Sequence, residues 1–216
     1  MFLTFEGIEG SGKSTIMERM AEQLRHCGLS VRMTREPGGT AFGGELRRLL
    51  LDIRSATFSI RTELLLFLAD RAQHLQEVIM PSLSEGLILL CDRYTDSTLA
   101  YQGYGRGMPL DQLIRLNEFA TGGLLPDMTL LFDVPVELGL ARAGERNREE
   151  GTTVSEGRFD AECLEFHQRV RAGYLELAAT NPKRYAVVDA SVPTDAVLQQ
   201  AVGLVRERLA VFHRGS

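Results

Sequence analysis

The chain has 216 residues with 24 Lys and Arg, 29 Asp and Glu and a formal net charge of −5, which suits one α/β domain and argues against a nucleic-acid-binding protein. Its three cysteines, Cys27, Cys91 and Cys163, lack the spacing of a metal cluster or a disulfide framework, so we expect buried thiols in a reducing cytosol. Because no apolar run reaches the length of a membrane span and the N-terminus has no signal-peptide pattern, the sequence predicts a cytoplasmic protein without a membrane partner.

Five short apolar runs alternate with longer helical patterns along the chain. The predicted strands cover residues 2–5, 31–34, 87–91, 128–132 and 185–188, and the predicted helices cover residues 13–26, 44–51, 61–80, 109–120, 160–180 and 194–212. This alternation predicts an α/β fold in which a five-stranded parallel sheet carries helices on both faces. We find no linker or repeat, so residues 1–216 are expected to form a single domain.

The first strand leads into a glycine-rich segment, Gly7-Ile8-Glu9-Gly10-Ser11-Gly12-Lys13-Ser14, which Thr15 follows. It matches the G-x-x-x-x-G-K-[ST] pattern, in which backbone N–H groups, a lysine and a helix N-terminus hold nucleotide phosphates and the Ser hydroxyl binds Mg²⁺. A tight glycine turn before an ordinary helix is the alternative, and the strand context and spacing disfavour it. The segment therefore predicts a nucleoside triphosphate site.

Charged residues follow the next strands, at Arg35, Asp92 and Arg93. Parallel strands end at one edge of a sheet, so these residues should converge beside the phosphate loop, although any one could be a solvated strand end. Arg35 and Arg93 suit a clamp on an acceptor phosphate, which needs no base, whereas a hydroxyl acceptor would need an aspartate nearby. Asp92 could orient Mg²⁺ with Ser14 or cap the following turn.

Several other residues leave two interpretations open. Glu9 could point outward as a spacer or contact a sugar hydroxyl or Mg²⁺. Phe67 and Arg71 lie four residues apart on one helix face and could form a nucleobase pocket, although singly they suit core packing and an exposed charge. The same predicted helix contains five consecutive apolar residues, 64–68, so either a second subunit or the monomer itself covers its second face.

The segment at about 142–160 is rich in arginine and poor in apolar anchors. It contains Arg142, Arg146, Arg148 and Arg158 among glycines and hydroxyl residues. By itself it suits a solvated loop. Beside a triphosphate site, it could be a lid that closes over the transferring phosphoryl group.

Four segments carry a resemblance to a known family. They are Phe5-Glu6-Gly7-Ile8-Glu9-Gly10-Ser11-Gly12-Lys13-Ser14-Thr15, Thr34-Arg35-Glu36-Pro37-Gly38-Gly39-Thr40, Asp92-Arg93-Tyr94 and Ala100-Tyr101-Gln102-Gly103. They resemble segments of bacterial thymidylate kinases. The resemblance extends through Leu49-Leu50-Leu51-Asp52 and Arg171-Ala172-Gly173-Tyr174-Leu175-Glu176-Leu177-Ala178, so it covers nearly the whole chain. It implies the three-layer P-loop nucleoside monophosphate kinase fold and a homodimer. It also implies transfer of the γ-phosphate of ATP to dTMP with Mg²⁺, giving dTDP and ADP.

The resemblance also implies roles for individual residues. Phe67 would stack on thymine and Arg71 would bond its edge. Ser97 and Gln102 would lie near the base, and Tyr101 would lie below the sugar. The full set of implied substrate-binding residues is Glu9, Arg35, Glu36, Pro37, Phe67, Arg71, Arg93, Ser97, Tyr101 and Gln102.

The phosphate groups and the adenine have implied partners too. Arg35 and Arg93 would hold the acceptor phosphate, Glu9 would reach the sugar 3′-hydroxyl or the metal region, and Arg142 would flank adenine. The implied ATP-binding residues are Gly7, Ile8, Glu9, Gly10, Ser11, Gly12, Lys13, Ser14, Thr15 and Arg142. Lys13 and Arg93 are implied catalytic residues, and Ser14 and Asp92 are implied metal-binding residues.

Members of this family place a catalytic arginine either in the phosphate loop or in the lid. The variable loop positions here contain no arginine, so the sequence resembles the lid-supplied type, with Arg146, Arg148 and Arg158 as candidates. The segment Gly157-Arg158-Phe159-Asp160 stands where many relatives have Asp-Arg-Ile-Glu, and the lid is several residues longer than usual.

Four other interpretations of the function remain alternatives from the sequence. Another nucleoside monophosphate kinase or a deoxynucleoside kinase would differ in its acceptor. A nucleotide-dependent switch of the GTPase type is disfavoured because the chain has no Asn-Lys-x-Asp motif. A catalytically inactive relative is disfavoured because the expected residues are all present.

Overall fold

The computed structural model describes residues 1–53, 58–149, 151 and 157–212. Five strands form one sheet in the order β2-β3-β1-β4-β5, and every pairing is parallel. The strands are β1 (Phe2–Glu6), β2 (Val31–Arg35), β3 (Ile88–Asp92), β4 (Met128–Asp133) and β5 (Tyr185–Asp189). The three central strands are buried along almost their whole length, as expected for a parallel sheet covered on both faces. The predicted fold is confirmed.

Helices cover both faces of this sheet. They are α1 (Lys13–His26), α2 (Ala41–Leu51), α3 (Ile60–His74), α4 (Met80–Ser84), α5 (Thr95–Thr98), α6 (Leu110–Thr121), α7 (Val136–Glu149), α8 (Leu164–Thr180) and α9 (Thr194–Phe212). A π-helical turn, Leu75–Ile79, joins α3 to α4, and a second π-helical segment, Leu99–Gly105, follows α5. Leu3 of β1 packs in one core cluster with Met20 of α1, whereas Phe2 packs in another with Ile79.

Several predicted boundaries were wrong. Helix α2 begins at Ala41 rather than 44 because the Thr40 hydroxyl caps it by accepting from Gly43 N at 2.9 Å. The helix predicted at 61–80 continues through its π-helical turn to Ser84. Helix α8 begins at Leu164 rather than 160.

Helix α7 was not predicted, and its first residues were left outside the predicted lid. Its buried face consists of Val136, Gly139, Ala143 and Asn147, so small and polar residues hide the apolar period. Within the predicted lid, residues 142–149 are therefore helical, and residues 150 and 152–156 lie outside the described residues.

The expectation of three buried thiols was also wrong, because Cys27 and Cys163 are exposed and only Cys91 is buried.

The sheet register brings the strand ends together at one edge. Asp92 of β3 lies opposite both Phe5 of β1 and Arg35 of β2. The loops that follow these strands therefore meet beside the N-terminus of α1.

None of the described helices has the length and apolar character needed to cross a membrane.

Candidate active site

The phosphate loop is a tight turn that only glycine permits at two positions. Gly7 has φ 143° and Gly10 has φ 67°. A Cβ on Gly7 would lie 2.5 Å from the Phe132 carbonyl oxygen, and one on Gly10 would lie 1.8 Å from that of Gly139. The second contact packs the loop directly against α7, and Arg142 and Arg146 of this helix therefore lie close to the loop.

Lys13 is buried at the start of α1 and turned into the loop. Its Nζ donates to Gly7 O at 3.0 Å, Ile8 O at 2.9 Å and Ser11 Oγ at 3.1 Å. Burial lowers the pKa of Lys13 to about 8, and the Arg93 guanidinium adds to the shift. The ammonium is thus held by weak neutral acceptors at the place where phosphate oxygens would bind.

Ser14 and Asp92 form a pair at the carboxyl ends of β1 and β3. Ser14 Oγ donates to Asp92 Oδ2 at 2.8 Å. The other carboxylate oxygen, Asp92 Oδ1, is buried and has no hydrogen-bond partner within the described part of the chain. A hydroxyl beside an unsatisfied carboxylate oxygen is a donor set that Mg²⁺ or its water shell would complete.

A cavity of about 460 Å³, cavity A, lies between the phosphate loop, β2, α3 and the π-helical segment Leu99–Gly105. Its wall contains all ten predicted substrate-binding residues, namely Glu9, Arg35, Glu36, Pro37, Phe67, Arg71, Arg93, Ser97, Tyr101 and Gln102. Lys13, Ser14 and Asp92 also line it. Residues from five separate parts of the sequence are therefore brought to one site.

Arg71 is fully buried at the base of cavity A, so its alternative interpretation as an exposed charge was wrong. Its Nε donates to Glu36 Oε2 at 2.7 Å, and Nη1 donates to Thr98 Oγ1 at 2.8 Å and Asn117 Oδ1 at 2.6 Å. Nη2 donates to Tyr94 O at 3.0 Å. Four acceptors thus fix the guanidinium before any nucleotide arrives.

Glu9 points inward, so its alternative interpretation as an outward spacer was wrong. Its Oε1 accepts from Tyr101 OH at 2.6 Å and from Arg93 Nη2 at 3.1 Å. Arg93 has φ 69°, which is uncommon for a residue with a side chain, and its Nη1 donates to Gly7 O at 3.0 Å and Tyr174 OH at 3.2 Å. The loop, β3 and α8 therefore share one hydrogen-bonded network.

A second cavity of about 540 Å³, cavity B, lies on the other side of the phosphate loop. It is lined by Gly10, Ser11, Gly12, Thr15, Ile16, Arg142, Arg146 and residues 190–194 with Val197. Arg142 is anchored there, because its Nη1 donates to Ala190 O at 2.8 Å.

Known proteins that are similar to this chain share one family description. The family model "Thymidylate kinase" matches residues 5–201. A thymidylate kinase of Desulfovibrio desulfuricans is 55% identical over 215 residues, covering 100% of this chain and 99% of the relative, and one of Geobacter sulfurreducens is 48% identical over 208 residues, covering 96% and 97%. The crystal structure of thymidylate kinase from Ehrlichia chaffeensis superposes with a TM-score of 0.76 at 33% identity, covering 95% of this chain and 98% of that one.

The chain belongs to the thymidylate kinase family. It transfers a phosphoryl group from ATP to dTMP and produces dTDP. The resemblance in the phosphate loop and the strand-end segments is thereby confirmed for the family, the fold and the reaction.

The arginines predicted for the kinase lid occupy different places. Arg146 lines both cavities, and its Nε and Nη2 donate to the neighbouring Asn147 Oδ1 at 3.3 and 3.0 Å. Arg148 is exposed and donates to Gly144 O at 3.2 Å. Arg158 donates to Glu63 Oε2 at 2.6 Å and to Leu50 O at 2.9 Å, and lines neither cavity. The structure therefore brings Arg146 to the phosphate loop and leaves Arg148 and Arg158 away from it.

Sequence reasoning missed two buried carboxylates that support the kinase site. Glu6 accepts from Tyr94 N at 2.8 Å, Ser97 Oγ at 2.6 Å and Tyr174 OH at 2.7 Å, and burial, reinforced by Asp96, raises the pKa of Glu6 to about 7. The sequence signal that could have indicated Glu6 is its position as a charged residue at the end of an apolar strand. Glu63 accepts from Gln102 Nε2 at 2.9 Å and from Arg158, and no local pattern indicated it.

Proposed function

We propose that cavity A holds dTMP, that cavity B holds the nucleoside of ATP, and that the phosphate loop holds the phosphates between them. The observation that carries this assignment is that both cavities share the wall formed by Gly10, Ser11, Gly12, Thr15 and Arg146. Two nucleotides bound in these cavities would direct their phosphate groups at each other across one loop. Positioning of this kind supplies much of the rate in phosphoryl transfer.

The base and sugar of dTMP would contact the inner wall of cavity A. Phe67 lies beside Phe159, with 6.1 Å between ring centroids, and offers a face on which thymine can stack. A guanidinium has five N–H donors, so the four bonds of Arg71 leave one for the edge of the base, where Ser97 and Gln102 also lie. Tyr101 would lie below the sugar.

The remaining contacts would hold the anionic part of dTMP. Arg35 is exposed at the mouth of cavity A, and Arg93 lines its inner end beside Glu9. Together they form a clamp for the acceptor phosphate, while Glu36 and Pro37 hold the loop that follows Arg35. Because a phosphate monoester is already ionised at neutral pH, the acceptor needs no general base. Glu9 would accept a hydrogen bond from the sugar 3′-hydroxyl.

Residues Gly7 to Thr15 would hold the ATP phosphates, and Arg142 would flank adenine in cavity B. Lys13 would exchange the Gly7 and Ile8 carbonyl oxygens for phosphate oxygens. Ser14 and Asp92 would hold Mg²⁺ or its water shell, and the cation, when bound, neutralises charge on the β- and γ-phosphates. Arg146 is the best placed of the three candidates for the catalytic lid arginine because it alone lines both cavities.

The clamp is tested by Arg35→Ala. We expect the KM for dTMP to rise roughly ten- to hundredfold, as for the loss of charge-assisted hydrogen bonds, with the KM for ATP unchanged. Arg32→Ala is the matched control, because Arg32 is exposed on the same strand but does not line cavity A. A parallel rise in both KM values for Arg35→Ala would contradict the assignment of cavity A to dTMP.

A homodimer through the predicted helix 61–80 is also proposed. The supporting feature is an exposed apolar surface on α3 and its neighbour α6, where Leu65, Ile114 and Phe119 are 59%, 45% and 90% exposed. We expect Phe119→Asp to halve the mass measured by light scattering. Leu175→Asp on α8, which is exposed away from this surface, is the control and should leave the mass unchanged. The single domain and the cytoplasmic location remain predictions.

A further inference from the structure

His167 on α8 is fully buried, yet neither ring nitrogen has a hydrogen-bond partner within the described part of the chain. Burial of an unpaired polar group opposes folding, and buried polar groups in native proteins are nearly always paired. A phenylalanine would fill the same space without this cost. The imidazole therefore requires a reason other than packing.

The surroundings of His167 supply that reason. Its Nδ1 lies 3.4 Å from Oε2 of Glu9, an oxygen that is also buried and without a hydrogen-bond partner among the described residues. The other oxygen of Glu9 is held by Tyr101 and Arg93. Burial disfavours the charged carboxylate, but His167, Arg93 and Tyr101 outweigh it and hold the pKa of Glu9 well below its usual range.

We propose that His167 is a positioning residue that holds Oε2 of Glu9, so that the carboxylate stays turned toward the sugar 3′-hydroxyl of the acceptor nucleotide. This inference rests on the proposed contact between Glu9 and that hydroxyl. Arg93 is shared between Glu9 and the proposed phosphate clamp, and it also donates to Gly7 O and Tyr174 OH. His167 and Tyr101 approach opposite oxygens of Glu9 and fix the carboxylate between them.

The test compares dTMP with its 3′-deoxy analogue as acceptors. In His167→Phe, which keeps an aromatic ring but has no donor, we expect the ratio of kcat/KM values for the two acceptors to fall about tenfold, mainly through a higher KM for dTMP. The melting temperature should fall somewhat, because Oε2 of Glu9 is then buried without the imidazole beside it. His167→Asn keeps a donor and should restore part of the ratio.

A purely structural role for His167 gives a different pattern. His167→Phe would then lose activity on both acceptors alike and leave the ratio of the two kcat/KM values unchanged, and this result would overturn the proposal. A His167→Asn variant that discriminates no better than His167→Phe would also overturn it, because the donor would then be irrelevant.

Glu9→Ala, which has no side-chain acceptor, separates this inference from the function on which it rests. If Glu9→Ala loses the discrimination and His167→Phe retains it, Glu9 contacts the 3′-hydroxyl but His167 does not position it. If Glu9→Ala itself discriminates as the wild type does, the contact between Glu9 and the sugar is wrong. Loss of discrimination in both variants, with restoration in His167→Asn, supports both assignments.

Discussion

Cavities A and B differ in how firmly the protein holds its own cations. In cavity A, Arg71 is 2% exposed and donates to four acceptors, and Arg93 donates to Gly7, Glu9, Ser97 and Tyr174. In cavity B, among the described residues, Arg142 donates to Ala190 O and Arg146 donates to the neighbouring Asn147. The side proposed to bind dTMP therefore holds its arginines with more hydrogen bonds than the side proposed to bind ATP.

This difference suits the two tasks. A residue that selects a base and sugar gains from a fixed geometry, because a fixed side chain loses little entropy on binding. A cation that stabilises the transferring phosphoryl group must follow charge that develops only when both nucleotides are bound. The Arg-rich segment 142–160 shows the same difference in how its arginines are held. Arg146 lies between the two cavities, whereas Arg158 forms an ion pair with Glu63.

The largest expected effect follows from Arg146. Arg146→Ala should lower kcat by about 10³-fold or more, as for other arginines that act on the transferring phosphoryl group, and should change the KM for dTMP little. Arg148→Ala, two residues further along the same helix, is the matched control and should turn over at close to the wild-type rate.

Arg158→Ala is a second variant whose kcat can be compared with that of Arg146→Ala. Because Arg158 joins residues 157–160 to Glu63 and Leu50, Arg158→Ala should lower the melting temperature more than it lowers kcat. A loss of kcat in Arg148→Ala or Arg158→Ala as large as in Arg146→Ala would show that the contrast between the two ends of the segment is wrong.

A smaller effect is expected on the fixed side of the comparison. Arg71→Met leaves Glu36 buried with the His74 imidazole as its remaining side-chain partner, and breaking a buried ion pair in this way typically costs about 3–5 kcal/mol. The free energy of unfolding, measured in urea, should fall by that amount. Arg206→Met on the exposed face of α9 should change it by less than about 0.5 kcal/mol. Equal stability of the two variants would mean that Arg71 is not part of a preformed site.

Much of cavity A could be predicted from the sequence because its residues lie next to strong local signals. Arg35 and Asp92 end strands, so the shared edge of a parallel sheet brings them to the glycine-rich loop whatever the details of packing. The pairing of Ser14 with Asp92 follows from that topology alone. The inward direction of Glu9 did not, because it depends on Tyr101 and Arg93, which approach from other elements.

The missed features share one physical cause. Helix α7 was missed because its buried face contains Gly139 and Asn147, and Gly139 is there so that the phosphate loop can approach closely. Glu63 and His167 were missed because the sequence does not distinguish a buried polar residue of a helix from an exposed one. The distinction requires the tertiary contacts. Local periodicity indicates which face is apolar, but it carries no information about polar groups paired across 39 residues, as in Glu63 with Gln102, or across 158, as in Glu9 with His167.

The smallest expected effect concerns the pH dependence of ATP binding. In the protein alone the pKa of Lys13 is about 8, so above pH 8 its ammonium is increasingly neutral. Bound phosphates favour the charged form and raise this pKa, so ATP binding above pH 8 must take up a proton. By linkage, the affinity for ATP should therefore fall with rising pH, by at most about tenfold per pH unit.

Calorimetry in two buffers of different ionisation enthalpy measures this uptake. We expect almost none at pH 7 and close to one proton at pH 9. Lys13→Arg, which stays charged across this range, should show none at either pH. Binding of dTMP should show none either, because Arg35 and Arg93 also stay charged. Uptake that persists in Lys13→Arg would mean that another group takes up the proton, and uptake that accompanies dTMP equally would mean that Lys13 does not distinguish the two proposed nucleotide sites.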